Sequence, residues 1–226
     1  MQEFLLALPV LLFSMVAHEY AHGYAALKHG DPTAYMLGRL TFNPLKHIDP
    51  WMTVLLPALL WFGSGGHVVF GGAKPVPVNP RNYRNYRRAD IIVSLAGIAT
   101  NAGLAVVCLV LGIVFGLLGF ALPAASSVLA LLQRMMFWGI WLNLLLASFN
   151  LIPIPPLDGS HVLYHLLPPA LGARYRALSQ YGFLVLLALI FFFQRLFIIL
   201  LFPAIALNSL AVHVMLPFAL LPPPLM

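Results

Sequence analysis

Two histidines and a glutamate sit together where the chain is otherwise apolar. The run from Phe4 to Leu27 reads Ala17-His18-Glu19-Tyr20-Ala21-His22-Gly23 at its centre, and Glu19 is one of six acidic residues in 226. Ionisable groups in a bilayer-length apolar stretch are costly to bury, so by default they mark a functional site. His18 and His22 are four residues apart, so on a helix both imidazoles leave one face about one turn apart. Zinc takes neutral imidazole nitrogen at about 2.0–2.1 Å, and two ligands so spaced reach a single ion. Glu19 follows the first histidine on the adjoining face. There a carboxylate can take a proton from an attacking water and deliver it to a leaving amine. The H-E-x-x-H spacing predicts a helical metal-binding pair with a general base beside it.

A catalytic zinc takes three protein ligands and keeps a position for water. No glutamate follows Glu19, and Ala25 and Lys28 stand where a longer histidine pattern needs Gly and His. Four aspartates remain. Asp31-Pro32 and Asp49-Pro50 read as turn-forming pairs, and Asp90 as a carboxylate at a helix start. Asp158 differs, because it follows a long apolar helix within the broken run Pro153-Ile-Pro-Pro-Leu-Asp-Gly159. Non-helical backbone at membrane depth is tolerated where it is buried in protein or lines a wet cavity. Asp158 is therefore expected to be the third ligand, the alternative being a cap on a helix that opens at Ser160-His161. Asp158, His161 and His165 form a rival constellation, but no carboxylate follows either histidine as a base. That pair is read as bordering the site or meeting lipid headgroups. His29, His47, His67 and His213 are isolated and read as structural or interfacial.

Asn101 and Asn150 lie in apolar helices, and buried amides need partners. One reading gives an oxyanion donor, the other a link between helices. For Asn101 both stay open. Asn150 is read as holding the proline-broken turn, and Asn143 as a link between helices.

About 20 apolar residues cross a bilayer. Residues 3–27, 90–119, 128–152 and 181–202 are long enough, and 203–221 form a shorter apolar element. Residues 51–62 are short, carry basic loops on both sides, and read as re-entrant or interfacial. From Phe70 to Pro80 the prolines forbid a helix, while the alternating valines permit an extended strand or edge hairpin. Glycines 97, 103, 112, 116 and 119 are expected to permit close helix contacts.

Composition agrees with these elements. The chain is 62% hydrophobic and 8% charged, against about 45–50% and 25% in soluble domains. It is expected to be an all-α polytopic membrane protein with about four to six spanning helices and a short re-entrant or extended hairpin around 66–80. Residues 1–226 are read as a single membrane-embedded domain without a cleavable leader. Cys108, the sole cysteine, excludes an internal disulfide and reads as a packing residue. The net charge of +6 is unevenly placed: eight of the twelve Lys and Arg fall between Lys28 and Arg88. Such clustering beside apolar segments sets membrane orientation and places this loop in the cytoplasm. It does not indicate nucleic acid.

These residues resemble the site-2 proteases, intramembrane zinc metalloproteases. Their H-E-x-x-H corresponds to His18–His22, and their N-x-x-P-x-x-P-L-D-G signature to Asn150-Leu-Ile-Pro-Ile-Pro-Pro-Leu-Asp-Gly159. Gly97-x-x-x-Asn101 falls between them, and Phe70 to Asn85 is similar to a segment of a compact prokaryotic subgroup. The resemblance covers roughly residues 3–165 and leaves no room for the PDZ or CBS domains of some relatives. Ile98 departs from the proline many members carry there.

The resemblance implies one zinc per chain on His18, His22 and Asp158, with Glu19 activating water near the cytoplasmic face of a prokaryotic inner membrane. It also implies that the strand edge at 66–80 meets an unwound transmembrane substrate; Val76, Val78 and Asn150 are the candidate substrate-binding residues, and Asn101 is a candidate catalytic residue beside Glu19. The alternative function is a divalent-metal transporter or channel. That would need carboxylates along a path through the bilayer, whereas the last spans carry almost none.

Overall fold

The computed structural model describes residues 2–63 and 71–224. Helix dominates, and no strand occurs among the described residues. The α-helices are α1 (Gln2–Lys28), α2 (Thr33–Met36), α3 (Leu56–Gly63), α4 (Tyr86–Ala121), α5 (Ser126–Leu151), α6 (Gly159–Leu166), α7 (Pro169–Ala177), α8 (Gly182–Phe192), α9 (Gln194–Leu200) and α10 (Phe202–Met215).

Four stretches are long and apolar enough to cross a membrane: Glu3–Lys28, Tyr86–Ala121, Pro123–Leu151 and Pro169–Phe192. A fifth candidate is the pair Gln194–Leu200 and Phe202–Phe218, bent by 54° at its break. The protein is an all-α polytopic membrane protein. The first three spans fall within a few residues of the expected bounds, but the fourth does not. Helix ends at Phe193, where φ −116° and ψ 44° leave the helical region, and Pro203 sits in the first turn of α10. The run expected at 181–202 is thus divided, and its first part is continued backwards through α7.

A π-helical stretch, Pro50–Leu55, leads into α3. This segment is not among the span candidates, in keeping with its shortness. His67 and the first part of the expected hairpin lie outside the described residues. Residues 71–79 form neither helix nor strand.

The chain divides into two compact units, residues 15–97 and residues 1–14 with 98–226. In the first, α1 ends in a Schellman turn: Asp31 N–H donates to Ala26 C=O at 2.9 Å and Gly30 N–H to Leu27 C=O at 3.2 Å. Gly30 has φ 108°, the left-handed conformation that glycine adopts without a Cβ penalty. Ala26, Tyr83, Ala89 and Val93 form the buried core beside this turn.

In the second unit α10 packs on α5, burying Phe137, Ile140, Ala204 and Met215. Gly112, Gly116 and Gly119 lie against Met215, Phe218 and Leu220, where a Cβ would overlap them. Gly103 instead faces open space, so the expected close contact is absent there. Buried Gln133 donates to Gly112 C=O at 2.9 Å and Phe218 C=O at 2.8 Å, and accepts from Leu220 N–H at 2.9 Å. A satisfied polar group in an apolar interface fixes one arrangement of the groups around it.

A second polar chain runs through the same unit. Fully buried Asn101 donates to Asn143 at 2.8 Å, Asn143 donates to Ser14 Oγ at 2.9 Å and Gly139 C=O at 2.8 Å, and Ser14 donates to Val10 C=O. Asn143 therefore joins α1, α4 and α5, as expected. Asn143→Ala removes the acceptor of Asn101 and the donor to Ser14. It is expected to cost about 1–2 kcal/mol, seen as a lower thermal midpoint in detergent.

Candidate metal centre

The H-E-x-x-H segment lies entirely within α1. His18 Nε2 and His22 Nε2 are 2.9 Å apart, the two rings meeting edge to face at 81°. His22 Nδ1 is 2.7 Å from the Val93 carbonyl of α4. A carbonyl can only accept, so the ring proton sits on Nδ1 and the Nε2 lone pair points towards His18. Such a second hydrogen bond is how metal-ligating imidazoles have their tautomer and orientation fixed.

The donor set fits a zinc ion. Two nitrogens held at about 2.0–2.1 Å by a tetrahedral ion are roughly 3.3 Å apart, so these rings need to part only slightly. The space beside them comes from α4. A Cβ on Gly97 would lie 2.5 Å from His18 Cε1, 2.6 Å from His18 Nε2 and 2.6 Å from His22 Nε2. Any larger residue at 97 would fill the place where both nitrogens point.

Glu19, one residue on from His18, is half-buried, and its Oε2 accepts the Val76 N–H at 2.7 Å. Val76 is buried and Val78 is 37% exposed. The segment expected to present a backbone edge therefore reaches Glu19 through one amide. Sequence reading did not foresee that contact.

Asp31 was read as a turn residue, and its role is larger. It is fully buried. Its Oδ2 accepts Asn79 N–H at 2.6 Å, and its Oδ1 accepts Asn82 Nδ2 at 2.8 Å together with the N–H and hydroxyl of Thr33. Burial alone would raise this carboxyl, but the bonds from Thr33, Asn79 and Asn82 outweigh it and hold the group below the ordinary carboxylate range. Asp49 behaves as a turn residue, its Oδ1 accepting Trp51 N–H at 2.9 Å. Asp90 is buried within the first turns of α4.

Asp158 stands at the N-cap position of α6 but makes no side-chain capping bond. The capping alternative is thus not the geometry observed. Asn150 donates to Leu146 C=O at 3.0 Å, one turn back in α5, and not to the turn that follows. His165 is buried with its ring edge against Tyr164, whereas His161 is exposed. His29 Nδ1 lies 2.8 Å from Ala25 C=O, and buried His47 Nε2 lies 2.9 Å from Thr41 C=O. Both are structural.

Apolar spans carrying two converging imidazoles and an adjacent carboxylate define a membrane metallopeptidase. Comparison with known proteins gives the particular kind. The family described as Peptidase family M50 matches residues 6–127 and 114–193. The chain is 42% identical over 179 residues to "Putative zinc metalloprotease YwhC" of Bacillus subtilis, covering 79% of this chain and 77% of that one. It is 34% identical over 187 residues to "Putative zinc metalloprotease Rip2" of Mycolicibacterium smegmatis, with 83% and 67% covered. It is also 35% identical over 98 residues to "Putative zinc metalloprotease MJ0611" of Methanocaldococcus jannaschii, with 42% and 46% covered. No solved structure gives a significant match. The chain belongs to peptidase family M50, the site-2 protease family. It is a zinc metalloendopeptidase and an integral membrane protein.

Proposed function

We propose that this protease cuts peptide bonds within or near the transmembrane segments of other membrane proteins, using one zinc per chain held by His18, His22 and Asp158. The observation that carries the reading is the centre on α1: two imidazole nitrogens 2.9 Å apart with a carboxylate on the residue after His18, in one span candidate, and beside them a space kept by Gly97 of α4, in another. When bound, zinc supplies a Lewis acid that polarises the scissile carbonyl and makes water a competent nucleophile near neutral pH.

The chain's own residues do the rest. His22 is oriented by Val93, so its tautomer suits a ligand. Glu19 takes the proton of the attacking water and returns it to the leaving amine. A helical peptide bond must lose its own hydrogen bonds before attack, and a backbone edge can replace them. Val76 and Val78 are assigned to that edge. The prolines at 75, 77 and 80 keep the segment out of a helix, which supports the assignment. Asn101 is assigned to holding α4 against α5, supported by its bond to Asn143. Asn150 is assigned to steadying the end of α5 ahead of the broken turn.

Residues 1–226 are taken as one protease domain in a prokaryotic inner membrane. The basic residues between Lys28 and Arg88 support a catalytic centre on the cytoplasmic side. Water would enter from that side.

The test is cleavage of a single-span substrate by the detergent-purified, zinc-loaded protein, with the cut mapped by mass spectrometry. The expected product ends lie inside or within a few residues of the apolar span. Cuts confined to a soluble tail, or no loss of cutting on zinc chelation, would reject the proposal.

A further inference from the structure

We propose that Asp31 and Arg39 are positioning residues that set the register of the 74–79 segment, holding Val76 N–H on Glu19 and leaving Val78 to pair with substrate. This rests on the reading that Glu19 is the base and that the segment meets substrate.

The segment cannot hold itself in place. Residues 71–79 form neither helix nor strand, and Pro75 and Pro77 remove two of the five amide donors from 75 to 79. Val76 N–H goes to Glu19 at 2.7 Å and Asn79 N–H to Asp31 at 2.6 Å. The remaining donor is Val78 N–H, which no described residue accepts. A donor that no described residue takes up, between two latched neighbours, is the kind of group a backbone edge offers an incoming strand.

Besides the bond from Lys74 N–H to His47 C=O at 2.8 Å, two side-chain latches come from the chain after α1. At one end, the Schellman turn at Gly30 brings Asp31 back beneath the helix terminus, where its two oxygens take up Asn79 and Asn82. At the other end, Arg39 donates to Lys74 C=O at 3.0 Å and Pro75 C=O at 3.2 Å. Each latch is a charge-assisted bond, stronger than a neutral one. Val76 lies between them, so a slip at either end moves its amide away from Glu19. In extended chain one residue of slip also turns the next backbone group to the other side.

The experiment uses the full zinc-loaded chain in detergent, with Arg39→Ala, Arg39→Lys and Asp31→Asn. Hydrogen exchange is followed by mass spectrometry over residues 71–79, alongside zinc content and turnover of a single-span test substrate. Losing one such latch is expected to speed exchange at Val76 and raise KM by about ten-fold each. The kcat is expected to stay within about three-fold, zinc content and exchange in α1 and α4 to stay unchanged, and Arg39→Lys to recover part of the loss. Arg39 is half-buried, so its variants carry the test if Asp31→Asn does not fold. Wild-type exchange at Val76 and wild-type KM in Arg39→Ala would overturn the proposal. So would loss of zinc with faster exchange throughout α1 and α4, which would mark a general structural role. The functional reading fails separately, through turnover retained by Glu19→Gln, and that result leaves the exchange measurement intact.

Discussion

Replacing Glu19 with glutamine is expected to lower cleavage of a single-span substrate by about 10³-fold, the scale of a lost general base, with zinc content staying at the wild-type level. Glutamine keeps the shape of the side chain and its acceptor oxygen, so Val76 N–H still has a partner. What disappears is the group proposed to take a proton from water and give it to the amine. The two imidazoles are untouched, because Glu19 leaves the adjoining face of α1 and is not assigned as a ligand. Zinc measured by plasma mass spectrometry beside turnover separates the two functions. Cleavage surviving in this variant would remove Glu19 from the mechanism.

Gly97→Ala acts on the other half of the centre. Its Cβ would stand 2.5–2.6 Å from three ring atoms of His18 and His22. Neither α1 nor α4 can yield cheaply there, since His22 is also held to Val93 of α4. Altering a group that only supports a metal ligand already costs about 10–100-fold in affinity, so a methyl placed at both nitrogens should cost at least about 100-fold. Activity is lost with the zinc. Gly103→Ala is the control in the same helix. A Cβ there meets nothing within 4 Å, so zinc binding and turnover should match the wild type. Equal zinc affinity in Gly97→Ala and Gly103→Ala would show that Gly97 does not shape the site.

The parts legible in the sequence were those written in local spacing. His18, Glu19 and His22 could be read because i, i+4 places side chains on one helix face whatever the rest of the fold does. The first three spans could be read because long apolar runs have few alternatives in a bilayer. The division at Phe193 was missed: Gln194-Arg195 interrupt the run 183–202 just there, but two polar residues between long apolar stretches do not by themselves end a helix, and the break is a backbone event at Phe193. The continuation into α7 was hidden by Arg174 and Arg176, which a hydropathy reading places outside a span. Gly97 was seen as a small residue for helix packing, but that it faces imidazoles depends on which side of α4 meets α1. Asp31 was missed for a different reason. An Asp-Pro pair suits a turn, yet Gly30 just past the basic end of α1 was the signal for a Schellman turn. Such a turn sends the next residue back under the helix, and here that residue is a carboxylate with four donors.

Asp158 carries the largest share of the account, because it must bring a carboxylate oxygen as third ligand to the two imidazole nitrogens on α1. Metal analysis of detergent-purified wild type and Asp158→Ala tests this most directly. The account predicts one zinc per wild-type chain and little or none in the variant after dialysis against a mild chelator. A full equivalent of zinc retained by Asp158→Ala would contradict it.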